Sequence, residues 1–202
     1  GDNMNQKVIF SVAVVVLLSG CIEPNAVEFV EEAESKIPKH ISFNENTLGR
    51  DIDGGDSINL KSQYQKGPVL LMWVSTQCTG CHEWTDLIRN STENGDLELG
   101  DVQMISVLRY VEYETVIEAW EVFGDLDNGS YPSPWPVVIP TVDSKAIDLD
   151  DARNTNTDLF EAFGMPSTPT LQLLSTSGEI VWESGKYRAN LTTLENGLST
   201  LD

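Results

Sequence analysis

Apolar residues in this chain come either as short unbroken runs or as stripes at helical spacing, and the two alternate for most of its length. Val8–Leu18 is an apolar run preceded by Lys7. It is too short to cross a bilayer as a mature helix but matches the core of a secretory signal, with Met4 a candidate initiator. The acidic stretch after it, bounded by Pro24 and Pro38, predicts a tether with a short helix over Ala26–Lys36. Asp51–Asp56 is a turn cluster, and Ser57–Leu60 predicts a short strand. Pro68–Val74 is continuously apolar, the pattern of a strand buried on both faces. Trp84, Leu87 and Ile88 then recur at helical spacing, so a strand, a short loop and a helix follow one another. Val102–Leu108 predicts a second buried strand. Glu114–Phe123 predicts a helix whose inner face carries Val116, Ile117, Trp120 and Phe123. Asp125–Pro136 reads as a loop and Val137–Val142 as a third strand. Asp158–Phe163 predicts a short helix capped by Thr157. Thr170–Leu174 and Glu179–Glu183 flank Ser175–Gly178 as a hairpin, and Leu191–Leu201, opened by Asn190, predicts the last helix. This order gives an α/β sandwich with a mixed sheet.

Charge narrows the function classes. The 202 residues include 32 acidic and only 12 basic ones, a net charge of -20, with no Lys/Arg-rich run. Such a surface repels phosphate backbones, which excludes nucleic acid as a partner. The excess acid serves solubility or docks a basic partner. Apolar residues make up 40% of the chain, enough for a core, so the charge does not imply disorder.

The three cysteines fall into two contexts. Leu18-Ser19-Gly20-Cys21 ends the signal run and resembles the lipobox of prokaryotic lipoproteins. That resemblance implies cleavage before Cys21, lipidation of its thiol and an anchor on the extracytoplasmic face of the cell membrane. Cys78-Thr79-Gly80-Cys81 sits where the first strand meets its helix. Free N–H groups and the helix dipole favour a thiolate at Cys78, which suits it to attack a disulfide, with Cys81 resolving the mixed disulfide. Thr79 and Gly80 add no charge that would push the potential either way.

Other chemistries compete for this motif. Zinc needs further ligands, and outside Cys21 only His40 and His82 remain, so no metal site is expected. A purely structural disulfide closing so short a loop gains little entropy. Cys81-His82 completes C-x-x-C-H, the pattern for c-type haem attachment. His82 would then be the axial ligand, with Met72, Met104, Met165 or His40 opposite it. The buried strand feeding the motif argues against that architecture.

PVLLMWVSTQCTGC, EAFGMPSTPTLQLL and STSGEIVWESG together resemble thioredoxin-like proteins of the TlpA/ResA (redoxin) group, over about Asn46 to Leu201. The resemblance implies a thioredoxin-like three-layer sandwich with a central mixed β-sheet. It divides the chain into a signal segment (1–21), an acidic tether (22–45) and the thioredoxin-like domain (46–202). It also implies a cis proline facing the C-x-x-C helix. Pro169 is the candidate because it abuts a strand, with Pro166 a neighbour, and Thr168 would offer its backbone to a substrate chain. The implied activity is thiol–disulfide exchange with exported protein thiols or disulfides, apocytochrome c among them, coupled to a membrane electron donor or acceptor and needing no cofactor. A non-catalytic binding module on the same fold is the remaining alternative, and no peroxidatic cysteine is visible.

Three positions depart from that group. Gln77 stands where the group often has Trp. Met72 stands where thioredoxins often carry a buried acid that helps the second cysteine lose its proton, which leaves Glu83 or a water for that task. His82 reads as an exposed helix residue that can stabilise a thiolate when charged. Trp73 and Trp84 read as core and site-rim residues, with Trp84 a candidate for substrate contact.

Overall fold

The computed structural model describes residues 37–185 and 188–201. The signal run, Cys21 and the acidic segment through residue 36 lie outside these. The described chain begins with β1 (Ile41–Ser42) and β2 (Asn44–Thr47), a 3-10 turn at Asp51–Asp53, β3 (Ser57–Asn59) and α1 (Leu60–Tyr64). β4 (Val69–Val74) leads into α2 (Thr79–Asn94), and β5 (Gln103–Leu108) into α3 (Val116–Phe123). β6 (Val137–Ile139), β7 (Lys145–Asp148), β8 (Arg153–Asp158) and α4 (Leu159–Ala162) follow. β9 (Thr170–Leu174), β10 (Ile180–Glu183) and α5 (Leu191–Leu198) complete it.

The main sheet runs β10-β9-β4-β5-β6-β2-β3. β4, β5 and β6 are mutually parallel, and the flanking strands are antiparallel. All six β4 residues are buried, as their unbroken apolar run predicts. Their side chains alternate between two cores. Leu70, Met72 and Val74 pack with Cys81, Trp84 and Ile88 of α2, Ala119 and Phe123 of α3, and Leu194 of α5. Val69, Leu71 and Trp73 pack on the other face with Leu60 and Tyr64 of α1 and Leu159 and Phe160 of α4. The result is three layers, helices on both faces of a mixed sheet. Each fully buried side chain of this kind stabilises the fold by about 1.5–3 kcal/mol.

α2 buries Cys81, Trp84, Thr85, Ile88 and Ser91, the i, i+3, i+4 stripe of a helix with one face on a sheet. It stops at Gly95, whose φ of 77 is the left-handed conformation that glycine tolerates. α5 lies close against β10 because a Cβ on Gly197 would meet the Trp182 ring at 2.7 Å. Gly197→Val is therefore expected to cost about 1–3 kcal/mol by overpacking, read as a lower urea midpoint at unchanged slope. A midpoint at the wild-type value would show that α5 does not depend on this close approach.

Several expectations need correction. The packed part of the chain starts earlier than residue 46: Ile41 and Phe43 are buried, and Phe43 meets Phe163 edge-on. Residues 41–45 therefore belong to the fold, not to the tether. β7 and β8 form a hairpin that no apolar pattern in the sequence predicts. β8 is Arg-Asn-Thr-Asn-Thr-Asp with only Thr157 buried, so it has no apolar alternation to read, and its backbone pairing with β7 builds it. The cap of α4 is Asp158, whose Oδ1 accepts from the N–H groups of Phe160 and Glu161. β6 ends at Ile139, and Val142 is exposed. In α3 the inner face is Ala119 and Phe123, whereas Val116 and Ile117 face solvent.

Candidate active site

The C-terminal ends of β4 and β5 and the start of β9 meet at one edge of the sheet, where open α/β sheets place their ligands. Cys78 is the N-cap of α2, with an extended backbone (φ -92, ψ 100). Its Sγ accepts from the Cys81 N–H at 3.1 Å, the bond that a capping serine or aspartate oxygen would make. Cys78 and Cys81 are joined as a disulfide with their Cα atoms 5.2 Å apart. Their surroundings differ: Cys78 is half-buried, while Cys81 is fully buried on the helical side of the sheet. A partner sulfur can therefore approach the first cysteine but not the second.

The Thr168–Pro169 bond is cis. The register pairs Trp73 with Thr170, so Pro169 lies beside the end of β4, at the edge from which the loop to Cys78 departs. Pro166 is the other proline of this loop, and its carbonyl accepts from Arg109 Nε at 2.9 Å. The Arg109 guanidinium stacks over Phe160, 4.3 Å from the ring centroid, which fixes the loop from the β5 side.

His82 is not an exposed helix residue. Its Nε2 donates to the Thr76 carbonyl at 2.9 Å, and its ring stacks on Tyr131 at 3.9 Å and meets Phe123 edge-on. The nitrogen best placed to bind an axial iron is thus a committed donor, and the two cysteines that would hold a haem are bonded to each other. The C-x-x-C-H pattern here serves packing of the first turn of α2. Trp84 is fully buried, so it belongs to the core and makes no substrate contact. Among the described residues no group of His, Cys, Asp and Glu is arranged to hold a metal ion, and no helix is long and apolar enough to cross a membrane.

One residue at this edge escaped sequence reasoning. Glu114, in the loop after β5, accepts with its Oε1 from Ser75 Oγ (2.5 Å), Thr76 N–H (2.8 Å) and Thr76 Oγ1 (3.0 Å). It therefore holds the turn that leads into Cys78. Glu83, the acid nearest in sequence, is exposed instead. Glu114 lies 38 and 39 positions from its partners, and no short motif announces it.

Two cavities open beside these residues. One, of about 250 Å3, is lined by Arg109, Tyr110, Tyr113 and Met165, among others. The other, of about 610 Å3, is lined by Glu114, Val116 and Pro140, among others. They share Val111 and Val142 and so form one surface. Tyr113, Val116, Val142 and Met165 are all exposed there, an apolar strip next to the cis-proline loop.

No protein-family model matches the sequence, and no curated protein sequence does. Solved structures do. MTB DsbF, in mixed oxidized and reduced forms, superposes with a TM-score of 0.55 at 15% identity, covering 83% of this chain and all of its own. A candidate thiol:disulfide interchange protein DsbE from Chlorobium tepidum gives 0.51 at 14%, covering 83% and 98%. A thioredoxin-like protein from Aeropyrum pernix gives 0.50 at 17%, covering 79% and 89%. The mixed sheet layered between helices, with the Cys78–Cys81 pair opening α2 and the cis proline opening β9, is thus the thioredoxin-like α/β fold.

Proposed function

We propose that this protein is a thiol–disulfide oxidoreductase acting on exported protein thiols or disulfides, with Cys78 as nucleophile and Cys81 as resolving thiol. The observation that carries this is the asymmetry of the pair: an approachable sulfur at the N-terminus of a 16-residue helix and a buried one three residues on. Helix N-terminal N–H groups favour the thiolate of the first. In the reducing direction the Cys78 thiolate attacks a substrate disulfide and expels one substrate thiolate. The Cys81 thiolate then attacks the Cys78 sulfur of the mixed disulfide and expels the second. The substrate gains two electrons and two protons, the protein is left as the Cys78–Cys81 disulfide, and a dithiol donor reduces it again. In the oxidising direction the same steps run backwards.

The polypeptide nature of the substrate is supported by the apolar strip around Tyr113, Val142 and Met165 and by the half-buried Thr168 beside Pro169. An extended chain can pair with the Thr168 backbone, which the cis bond to Pro169 places at this edge. Apocytochrome c is one such chain. The signal run and the lipobox-like Leu18–Cys21 support export and a lipid anchor at Cys21 on the extracytoplasmic face, where a membrane donor or acceptor would exchange electrons with the pair.

The test is equilibration of the purified full chain in glutathione buffers, with the Cys78–Cys81 state read by thiol alkylation. A reversible two-electron couple is expected. A value near about -250 mV or lower marks a reductase, and one near about -150 mV or higher marks an oxidant. A pair that neither reduces nor reoxidises would leave the fold as a binding module and end the enzymatic reading.

A further inference from the structure

Glu114 makes three hydrogen bonds through a single oxygen. Its Oε1 takes the Ser75 hydroxyl and the N–H and hydroxyl of Thr76, while its Oε2 is buried with no hydrogen-bond partner among the described residues. A clamp on the turn requires only the first oxygen. A neutral amide would supply it and avoid leaving a charged group partly unsatisfied in a desolvated site, which costs stability. What the carboxylate adds is negative charge, delivered to the turn that ends in Cys78.

Thr76 is pinned from both sides. Glu114 takes its N–H and hydroxyl, and His82 Nε2 donates to its carbonyl. The Cys78 N–H in turn donates to the Ser75 carbonyl at 3.2 Å, so both residues held by Glu114 set the geometry of the cysteine loop. The positive influence on Cys78 is the N-terminus of α2, which it caps. The two residues between the cysteines, Thr79 and Gly80, are neutral, and no Lys or Arg lies in sequence between Lys66 and Arg89. Glu114 is the acid that the fold brings to this loop from a distant segment.

We propose that Glu114 is a positioning residue that also sets the redox poise of the Cys78–Cys81 pair. It fixes the Ser75–Thr76 turn, and its charge opposes the Cys78 thiolate that the helix favours. A like charge nearby raises a thiol's pKa, and a less stable thiolate makes the dithiol a stronger reductant. Glu114 therefore biases the pair toward donating electrons. This rests on the thiol–disulfide reading above and adds a direction of electron flow to it.

Glu114→Gln keeps the accepting oxygen and removes the charge; Glu114→Asp keeps the charge on a shorter arm. The Cys78 thiol of the reduced full chain is titrated by its rate of alkylation across pH, and the pair is equilibrated with oxidised and reduced glutathione. E114Q is expected to lower the Cys78 pKa by about half a unit or more and to move the equilibrium about threefold or more toward the dithiol. E114D is expected to keep the thiol near its wild-type pKa. A purely mechanical clamp predicts the opposite ranking, with E114Q matching the wild type and E114D departing from it, and that result overturns the proposal. E114Q at the wild-type pKa and equilibrium overturns it as well. If E114Q does not fold, E114D decides: a Cys78 pKa lowered by half a unit or more despite the retained charge overturns the proposal, and a wild-type value upholds it. A wild-type pair that never exchanges with glutathione defeats the underlying function instead, so the two failures are distinct.

Discussion

Cys78→Ser is expected to lower disulfide exchange by about three orders of magnitude or more, the scale on which loss of a covalent nucleophile acts. The half-buried Cys78 is the sulfur a partner can reach, and a serine hydroxyl does not attack disulfides at neutral pH. The fold should tolerate the change. A serine oxygen caps α2 at least as well as the Sγ that now accepts from Cys81 N–H, and the lost disulfide closes too short a loop to contribute much entropy. Cys81→Ser should behave differently: attack still occurs, resolution does not, and the mixed disulfide accumulates. Non-reducing electrophoresis after mixing each variant with a scrambled, disulfide-bonded test protein separates the two. An adduct with C78S and none with C81S would reverse the assigned roles. Exchange at wild-type rates in both variants would remove the pair from the chemistry altogether.

Arg50→Met is expected to destabilise the protein by about 3–5 kcal/mol, the range seen when one partner of a buried ion pair is removed. Arg50 and Asp53 side chains are fully buried and paired at 2.7 Å. The guanidinium also donates to the carbonyls of Phe123 (2.7 Å), Gly124 (3.1 Å), Ser133 (2.9 Å) and Trp135 (2.7 Å). Asp53 in turn accepts from the N–H of Arg50 and from that of Val137 at the start of β6. The Arg50–Asp53 pair thus ties the end of α3, the following loop and the start of β6 together. Methionine fills much of the volume but takes the guanidinium donors away from four carbonyls and a buried carboxylate. At roughly 2–4 °C per kcal/mol for a domain of this size, the melting temperature should fall by about 10 °C. Arg50→Lys keeps the charge but not the planar fork, and should recover only part of the loss. A thermal melt of R50M within about 1 kcal/mol of the wild type would show that the loop carbonyls find water instead.

The parts of this protein legible in its sequence were those whose signal is local. The unbroken Val69–Val74 run, the stripe after it and the hairpin around Gly178 each declare their element within a few residues, because burial on one or both faces imposes a period on the chain. The same locality exposed Cys78 and Cys81, whose spacing is the ring they close, and Pro169, which opens a strand. Local signals also misled: Val116 and Ile117 have helical spacing yet face solvent, because the neighbouring sheet, and not the period, chooses the buried face.

What tertiary structure decided depends on residues far apart in the chain. The polar strand β8 forms because β7 supplies its hydrogen bonds, so its sequence carries no trace of it. Phe43 joins the core because Phe163, 120 positions on, meets it edge-on in the same cluster. Arg50 becomes a hub only when carbonyls more than 70 positions away converge on it. His82 reads as an exposed helix residue until Thr76 and Tyr131 occupy its ring. Glu114 gains a role only when the parallel pairing of β4 with β5 carries it to the cysteine loop. Apolar periodicity is written along the chain because water acts on every residue alike. The partner of a buried polar group is a matter of geometry, and geometry exists only after the chain has folded.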